Sequence, residues 1–286
     1  MIDRRASFDS TSIGTQYTVH FRDTRLWSNI GLLRSKASKV TAVAETLRSQ
    51  NLLNRKDYAA FLECPVSTSL QGYPKSFSTP SFVNLHELLN ENWIGERVLD
   101  ARGYQVMQTI NERLGPSTIV ILPTIFHSQL SVAFRSRKFS TLLKDLRGSL
   151  LADLPRFLAF VFNKDLSHWA PCVISLEDRI VRQGDSLKWN PDVDMLAMIR
   201  WLLGDIITEH GEWTETMLAV PHQGAGSGSC GIVAMSAIER FVVQSAVPWS
   251  THLAAQFRHR WLGEFVQFHL KAIQASKEVR IHVVLV

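Results

Sequence analysis

A chain of 286 residues, 45% hydrophobic and 20% charged, with 15 Gly and 10 Pro, has an ordinary globular composition and room for one large core, alone or with an extension. Its 3 cysteines are an odd number at wide spacing, which excludes a disulfide framework and a C-x-x-C metal knuckle and points to reduced thiols in the cytoplasm or nucleus. No run of about 18 uncharged apolar residues occurs, so no membrane span is read; the net charge of +5 contains no block of like charges, so no nucleic acid is expected as a partner.

The start, "MIDRRASFDSTS", has basic residues without an apolar stretch behind them, and no secretory leader is expected. Residues 1–80 hold 11 Lys/Arg against 6 Asp/Glu, while residues 81–286 balance at 20 and 20, so the positive excess belongs to a basic N-terminal extension or accessory helical region. Within it, Val40, Val43, Leu47 and Leu53 recur at near-helical spacing, predicting one or two helices over 35–64. The segment 65–81, with three prolines and many hydroxyls, reads as a linker or long loop. Two short helices are expected in 84–116, which closes on Gly115-Pro116.

Beyond this point the elements mix. "STIVILPTIF" and "RFLAFVFN" are of strand length and composition, and the basic stretch "SVAFRSRKFSTLLKDL" between them reads as a helix. "HWAPCVISLE" and "RIVRQGDSL" look like consecutive strands in a hairpin-like arrangement, followed by a helix over 192–211, a short strand "TMLAVPHQ", a helix opened by Cys230 and another over 250–276. The order predicts an α+β domain over 84–286.

The stretch "PHQGAGSGSCGIVAMSAIERF" contains G-x-G-x-x-G at Gly226, Gly228 and Gly231. A dinucleotide site would need a following strand with an acidic residue about 20 positions on. The 55 residues after Gly231 read as helices instead, and no Gly-Lys-Ser/Thr follows, so no phosphate-binding cofactor is implied. What remains is Cys230 at the mouth of an apolar helix, where the helix dipole and free N–H groups favour a thiolate. Its flanks Gly228, Ser229 and Gly231 are small enough to admit a substrate backbone to the sulfur. A base and an orienting acid come from elsewhere: His168 starts one strand and Asp185 ends the next, so a hairpin would bring both to one sheet edge.

In this order, His168, Asp185, Gln223 and Cys230-Gly231, with His-Trp opening a strand and Asp-Ser-Leu closing the next, the chain resembles the SUMO-protease (sentrin-specific, ubiquitin-like-protein-processing) cysteine peptidases, relatives of the adenovirus protease. "NWIGERVLDARGYQVMQTI" and "VILPTIFHSQL" are similar to the family's early tryptophan-led helix and a later strand. The resemblance covers 84–286. It implies a mixed central sheet flanked by helices with the catalytic Cys at a helix N-terminus, no cofactor and no metal. The implied activity is that of a thiol protease or isopeptidase, of deSUMOylase or deubiquitinase type, acting after the Gly-Gly end of SUMO or ubiquitin and their conjugates. By the same resemblance Cys230 would be the nucleophile, His168 the base, Asp185 the holder of the tautomer and Gln223 an oxyanion donor, with His222 or the loop backbone as alternative donors. Trp169 and Trp93, the latter expected on a helix, would wall a channel for the modifier tail. Two positions depart from the family pattern: Ser229 stands where an Asp usually precedes the Cys, and Gln223 lies one residue further from Cys230 than usual. A binding module that has lost turnover and an acyltransferase with the same triad are the other readings of these residues.

Overall fold

The computed structural model describes residues 5–9, 16–65, 67–207, 211–224 and 226–284, with side chains described only within 28–276. Strands β1 (Arg5–Asp9) and β2 (Gln16–His20) form an antiparallel hairpin, followed by helices α1 (Phe21–Ser49) and α2 (Arg55–Leu62), a 3-10 turn (Asn84–Leu88) and α3 (Glu96–Leu114). Then come β3 (Ile119–Leu122), α4 (Phe126–Ser136), α5 (Thr141–Ala152), β4 (Phe157–Lys164), β5 (His168–Ser175), β6 (Ile180–Gln183), α6 (Met195–Leu203), β7 (Thr214–Met217), α7 (Cys230–Val242) and α8 (Ala254–Val284).

Strands β3 to β7 form one five-stranded sheet in chain order, parallel at each outer pair and antiparallel through the centre. Its central strands β4 and β5 are buried on both faces, which is why they read as continuous apolar runs, while the edge strand β7 is exposed. Along β4, Phe157, Ala159 and Val161 face a core shared with α3, α7 and α8, while Leu158, Phe160 and Phe162 face a second core with α4 and α6. The first core takes in Val43 and Leu47 of α1 and Phe61 of α2, so these N-terminal helices pack on the same hydrophobic centre as Cys230 and α8.

Several boundaries differ from the sequence expectation for identifiable reasons. The stretch read as one helix over 131–146 is two, because Arg137 adopts the left-handed conformation (φ 54°) and the Ser140 side chain caps the next helix at the Leu143 N–H. The strand expected over 216–223 ends at Met217, and the chain then runs irregularly to the Cys230 turn. In 84–116 one of the two helices is only a 3-10 turn, while the other spans 19 residues. The end of the predicted helix over 192–211 falls partly on 208–210, outside the described residues. Among the described residues no helix is long and apolar enough to cross a membrane.

Candidate active site

The β5–β6 hairpin assembles the base and its orienter. Cys172 pairs with Gln183, and the ladder continues one step further as the Gly184 N–H donates to the Pro171 carbonyl at 3.1 Å. That carries Asp185 back alongside the start of β5, where His168 Nε2 and Asp185 Oδ1 lie 3.0 Å apart. Both side chains are buried, at 1% and 4% exposure. Asp185 also accepts the Leu187 N–H at 2.8 Å and Lys164 Nζ at 3.0 Å. Burial pushes the Asp185 carboxyl up, but the bonds from Lys164 and Leu187 and the neighbouring imidazole outweigh it and hold it below its ordinary value.

Because the carboxylate only accepts, the neutral His168 ring carries its proton on Nε2 and leaves the Nδ1 lone pair free to act as a base. Burial lowers the His168 pKa, Asp185 raises it and Lys164 lowers it, with a net shift below 6.5. The imidazole is therefore neutral at physiological pH. The Trp189 ring leans over it with centroids 4.9 Å apart, and Lys164 Nζ lies 5.7 Å from the same indole.

Cys230 is the first residue of α7 and is buried, with 2% exposure. Burial pushes its thiol up; the N–H groups of Trp169, Gly231 and Cys230 itself, together with the Arg258 guanidinium, pull it down, and burial prevails. The sulfur thus faces the backbone of the residue that follows His168. Ser229, at the N-cap, makes no side-chain capping bond, which leaves the N–H groups of the helix start to the sulfur. The resting site holds a neutral thiol and a neutral imidazole, so the proton must move as the sulfur attacks.

Trp169 and Trp93 stack with centroids 5.6 Å apart and planes at 28°. Trp169 points to the opposite side of β5 from His168, as strand alternation requires, and its Nε1–H donates to the Ile94 carbonyl at 2.8 Å. Trp93 does not lie on a helix: it sits in the extended segment before α3, which is anchored by the Gly95 N–H donating to Glu87 Oε2 at 2.7 Å. Trp93 is 37% exposed while Trp169 is 5% exposed, so the pair presents one open aromatic face backed by a buried one.

Gln223 and His222 are both tied to Ser186, the neighbour of Asp185. Ser186 Oγ donates to Gln223 Oε1 at 3.1 Å, and the His222 Nδ1–H donates to the Ser186 carbonyl at 2.8 Å. A neutral His222 has thereby spent its one N–H, which leaves it no donor for an oxyanion. Gln223 Nε2 donates to the Ser227 carbonyl at 3.3 Å and retains a second N–H.

The small residues flanking Cys230 serve the fold rather than a substrate. A Cβ on Gly228 would lie 2.3 Å from the Glu91 carbonyl oxygen and 2.6 Å from the Asn92 carbonyl, and one on Gly231 would meet Leu99 at 3.0 Å. The expected room for a substrate backbone at these positions is taken by the chain itself, which brings the Trp93 segment against the nucleophile turn. Lys164, Trp189 and Arg258 were not singled out by sequence, since each reaches the site through pairing or packing that no local motif encodes, and Ser186 was noted only as part of the Asp-Ser-Leu stretch without a role. The strand register Lys164↔His168 is the one signal that could have found Lys164.

Among the solved structures that match this chain in fold are several SUMO proteases. The C-terminal Ulp1 protease domain in complex with Smt3, the yeast ortholog of SUMO, matches with a TM-score of 0.57 at 18% identity over 76% of this chain and 96% of that chain. The chain has the Ulp1-like protease fold. The Ulp1-like SUMO protease catalytic domain of Chaetomium thermophilum gives 0.58 at 15% identity over 75% and 90%. SUMO protease Ulp1 with its catalytic cysteine oxidized to a sulfenic acid gives 0.56 at 17% identity over 75% and 95%. No protein-family model matches the sequence, and no curated protein matches it.

Proposed function

We propose that this chain is a cysteine peptidase that cleaves after the C-terminal Gly-Gly of a ubiquitin-like modifier, SUMO or ubiquitin, releasing it from conjugates or from its precursor. One observation carries the reading: the buried His168–Asp185 pair opens a strand whose next N–H faces the Cys230 sulfur at the start of a buried helix. The fold in which this occurs is that of a protease solved with a SUMO ortholog bound.

In the proposed cycle His168 Nδ1 takes the Cys230 proton as the sulfur attacks the glycine carbonyl carbon. The resulting oxyanion is met by the Cys230 N–H and the remaining Gln223 amide N–H. The imidazolium, held by Asp185, protonates the departing amine as the C–N bond breaks, leaving a thioester and a neutral imidazole. Water, deprotonated by the same imidazole, then attacks the thioester and releases the modifier carboxylate and the free thiol. The Trp93 face would lie along the extended tail, where residues larger than glycine would strike the indole.

The test is cleavage of C-terminal fluorogenic conjugates of SUMO and ubiquitin, beside conjugates whose last glycine is alanine. Release from at least one modifier, reduced about 100-fold or more by the alanine, is the expected result. Equal cleavage of the Gly-Gly and Gly-Ala forms would remove the channel from the account.

A further inference from the structure

Arg258, in the second turn of α8, is 2% exposed, and its guanidinium spans two separate segments of the site. Nη1 donates to the Glu87 carbonyl at 3.0 Å and Nη2 to the Asn92 carbonyl at 3.0 Å; both acceptors belong to the wall that carries Trp93 and Ile94. Nη2 also donates to the Gly228 carbonyl at 3.1 Å and to Ser229 Oγ at 3.4 Å, in the turn that opens α7 at Cys230. All four acceptors are uncharged, and the equally buried Nε has no hydrogen-bond partner among the described residues.

An unpaired guanidinium is expensive to bury, at several kcal/mol. The carbonyls accept from its Nη donors but leave its positive charge without a hydrogen-bonded anion. The cation is bonded to Gly228 and Ser229, the two residues before Cys230, whose sulfur becomes negative during attack.

We propose that Arg258 is a positioning residue with two effects on Cys230: it clamps the Trp93 wall to the nucleophile turn, and its charge, which no hydrogen-bonded carboxylate neutralises, favours the thiolate. The proposal rests on the reading of Cys230 as the nucleophile. Each of the two groups stabilises the charge of the other, and burial pulls the guanidinium itself down to about 10, still cationic throughout the working range. The other titratable groups around the pair are His168 and Asp185 from the sheet, and Glu87 and Glu91 from the wall. His168 is engaged by Asp185, and the Glu87 carboxylate holds the Gly95 N–H, while Glu91 acts on Arg258 only through space.

The experiment reads the thiolate without a modifier. Carboxamidomethylation of the full chain by iodoacetamide is followed across pH by mass spectrometry of the Cys230 peptide, which separates it from Cys64 and Cys172. Arg258→Gln keeps amide donors and removes the charge; Arg258→Lys keeps the charge and removes the planar fork. The Gln protein should alkylate with a midpoint about one pH unit higher than wild type, whereas the Lys protein should keep the wild-type midpoint. With a fluorogenic modifier conjugate, the Lys protein should still lose about 10-fold in kcat/KM through the loosened clamp. A thermal melt identifies any variant that fails to fold, and the Lys protein then decides. Either a folded Gln protein with the wild-type midpoint or a Lys protein with a raised midpoint would overturn the proposal. Failure of the Cys230 assignment would show separately, as a Cys230→Ala protein that still turns over.

Discussion

Lys164 and His168 stand opposite one another in the β4–β5 ladder, and both side chains end on the Asp185 carboxylate, at 3.0 Å each and on different oxygens. The ammonium therefore competes with the imidazolium for the same negative charge. It keeps the base neutral, and so competent, at lower pH than a simple His–Asp pair would allow.

The sign of the pH effect follows. His168 must be neutral to accept the thiol proton, so kcat/KM rises with pH through its pKa, which lies below 6.5. Lys164→Met removes an influence that lowers that pKa and should move the acid limb up by about one unit, leaving the rate above pH 8 nearly unchanged. A pH–rate profile of the variant checks this; an unmoved limb, or one moved toward acid, would contradict it.

Asp185→Asn leaves Lys164 without its carboxylate beside a base that has also lost its orienter. It should lower kcat by about 10²- to 10⁴-fold. The Asp185→Asn/Lys164→Met double variant should regain part of that loss, since the unpaired cation is gone. Strictly multiplicative effects would mean that the two residues act independently.

The two tryptophans should separate by assay. Trp169 is buried and hydrogen-bonded to Ile94, so Trp169→Ala should cost about 3 kcal/mol or more of stability and give no clean reading of the channel. Trp93→Ala, at a half-open position, should lower kcat/KM about 10-fold with a melting temperature within a few degrees of wild type. A Trp93→Ala protein with full activity would show that the tail does not run along this face.

Gly228→Ala adds one methyl against the Glu91 and Asn92 backbone, which cannot yield as a flexible side chain would. Destabilisation of about 1–3 kcal/mol is expected, together with a fall in kcat, because the wall and the nucleophile turn must separate. Urea unfolding and kcat measured on the same preparation check both; a neutral substitution would show that the turn has slack.

Residues with chain-local signatures were legible in the sequence. Cys230 stands at the boundary between a glycine-rich loop and an apolar helix, and His168 and Asp185 bracket two apolar strands, so their order alone suggested a site that the hairpin register then brings within 3.0 Å. The α+β order could be read because β4 and β5 are unbroken apolar runs, whereas the mixed sheet was implied only by the family resemblance. What could not be read depends on distant pairing. Lys164 matters through a cross-strand partner, Arg258 reaches the Cys230 turn from α8, and Trp189 covers His168 from a loop of irregular backbone. Gly228 was misread for the same reason, since a small residue looks alike whether its space admits a ligand or the chain's own Asn92.

The most direct measurement is covalent capture. SUMO and ubiquitin, each ending in an electrophile in place of the last glycine carboxylate, are incubated with the full chain, and the products are read by intact mass and peptide mapping. One adduct is expected, at Cys230, with at least one of the two modifiers; it should be absent in Cys230→Ala, slowed by about 10²-fold or more in His168→Ala, and unaffected by Cys64→Ala. A wild-type chain that forms no adduct with either modifier, or one whose adduct maps to Cys64 or Cys172, would contradict the assignment of Cys230 as the nucleophile of a ubiquitin-like-modifier protease.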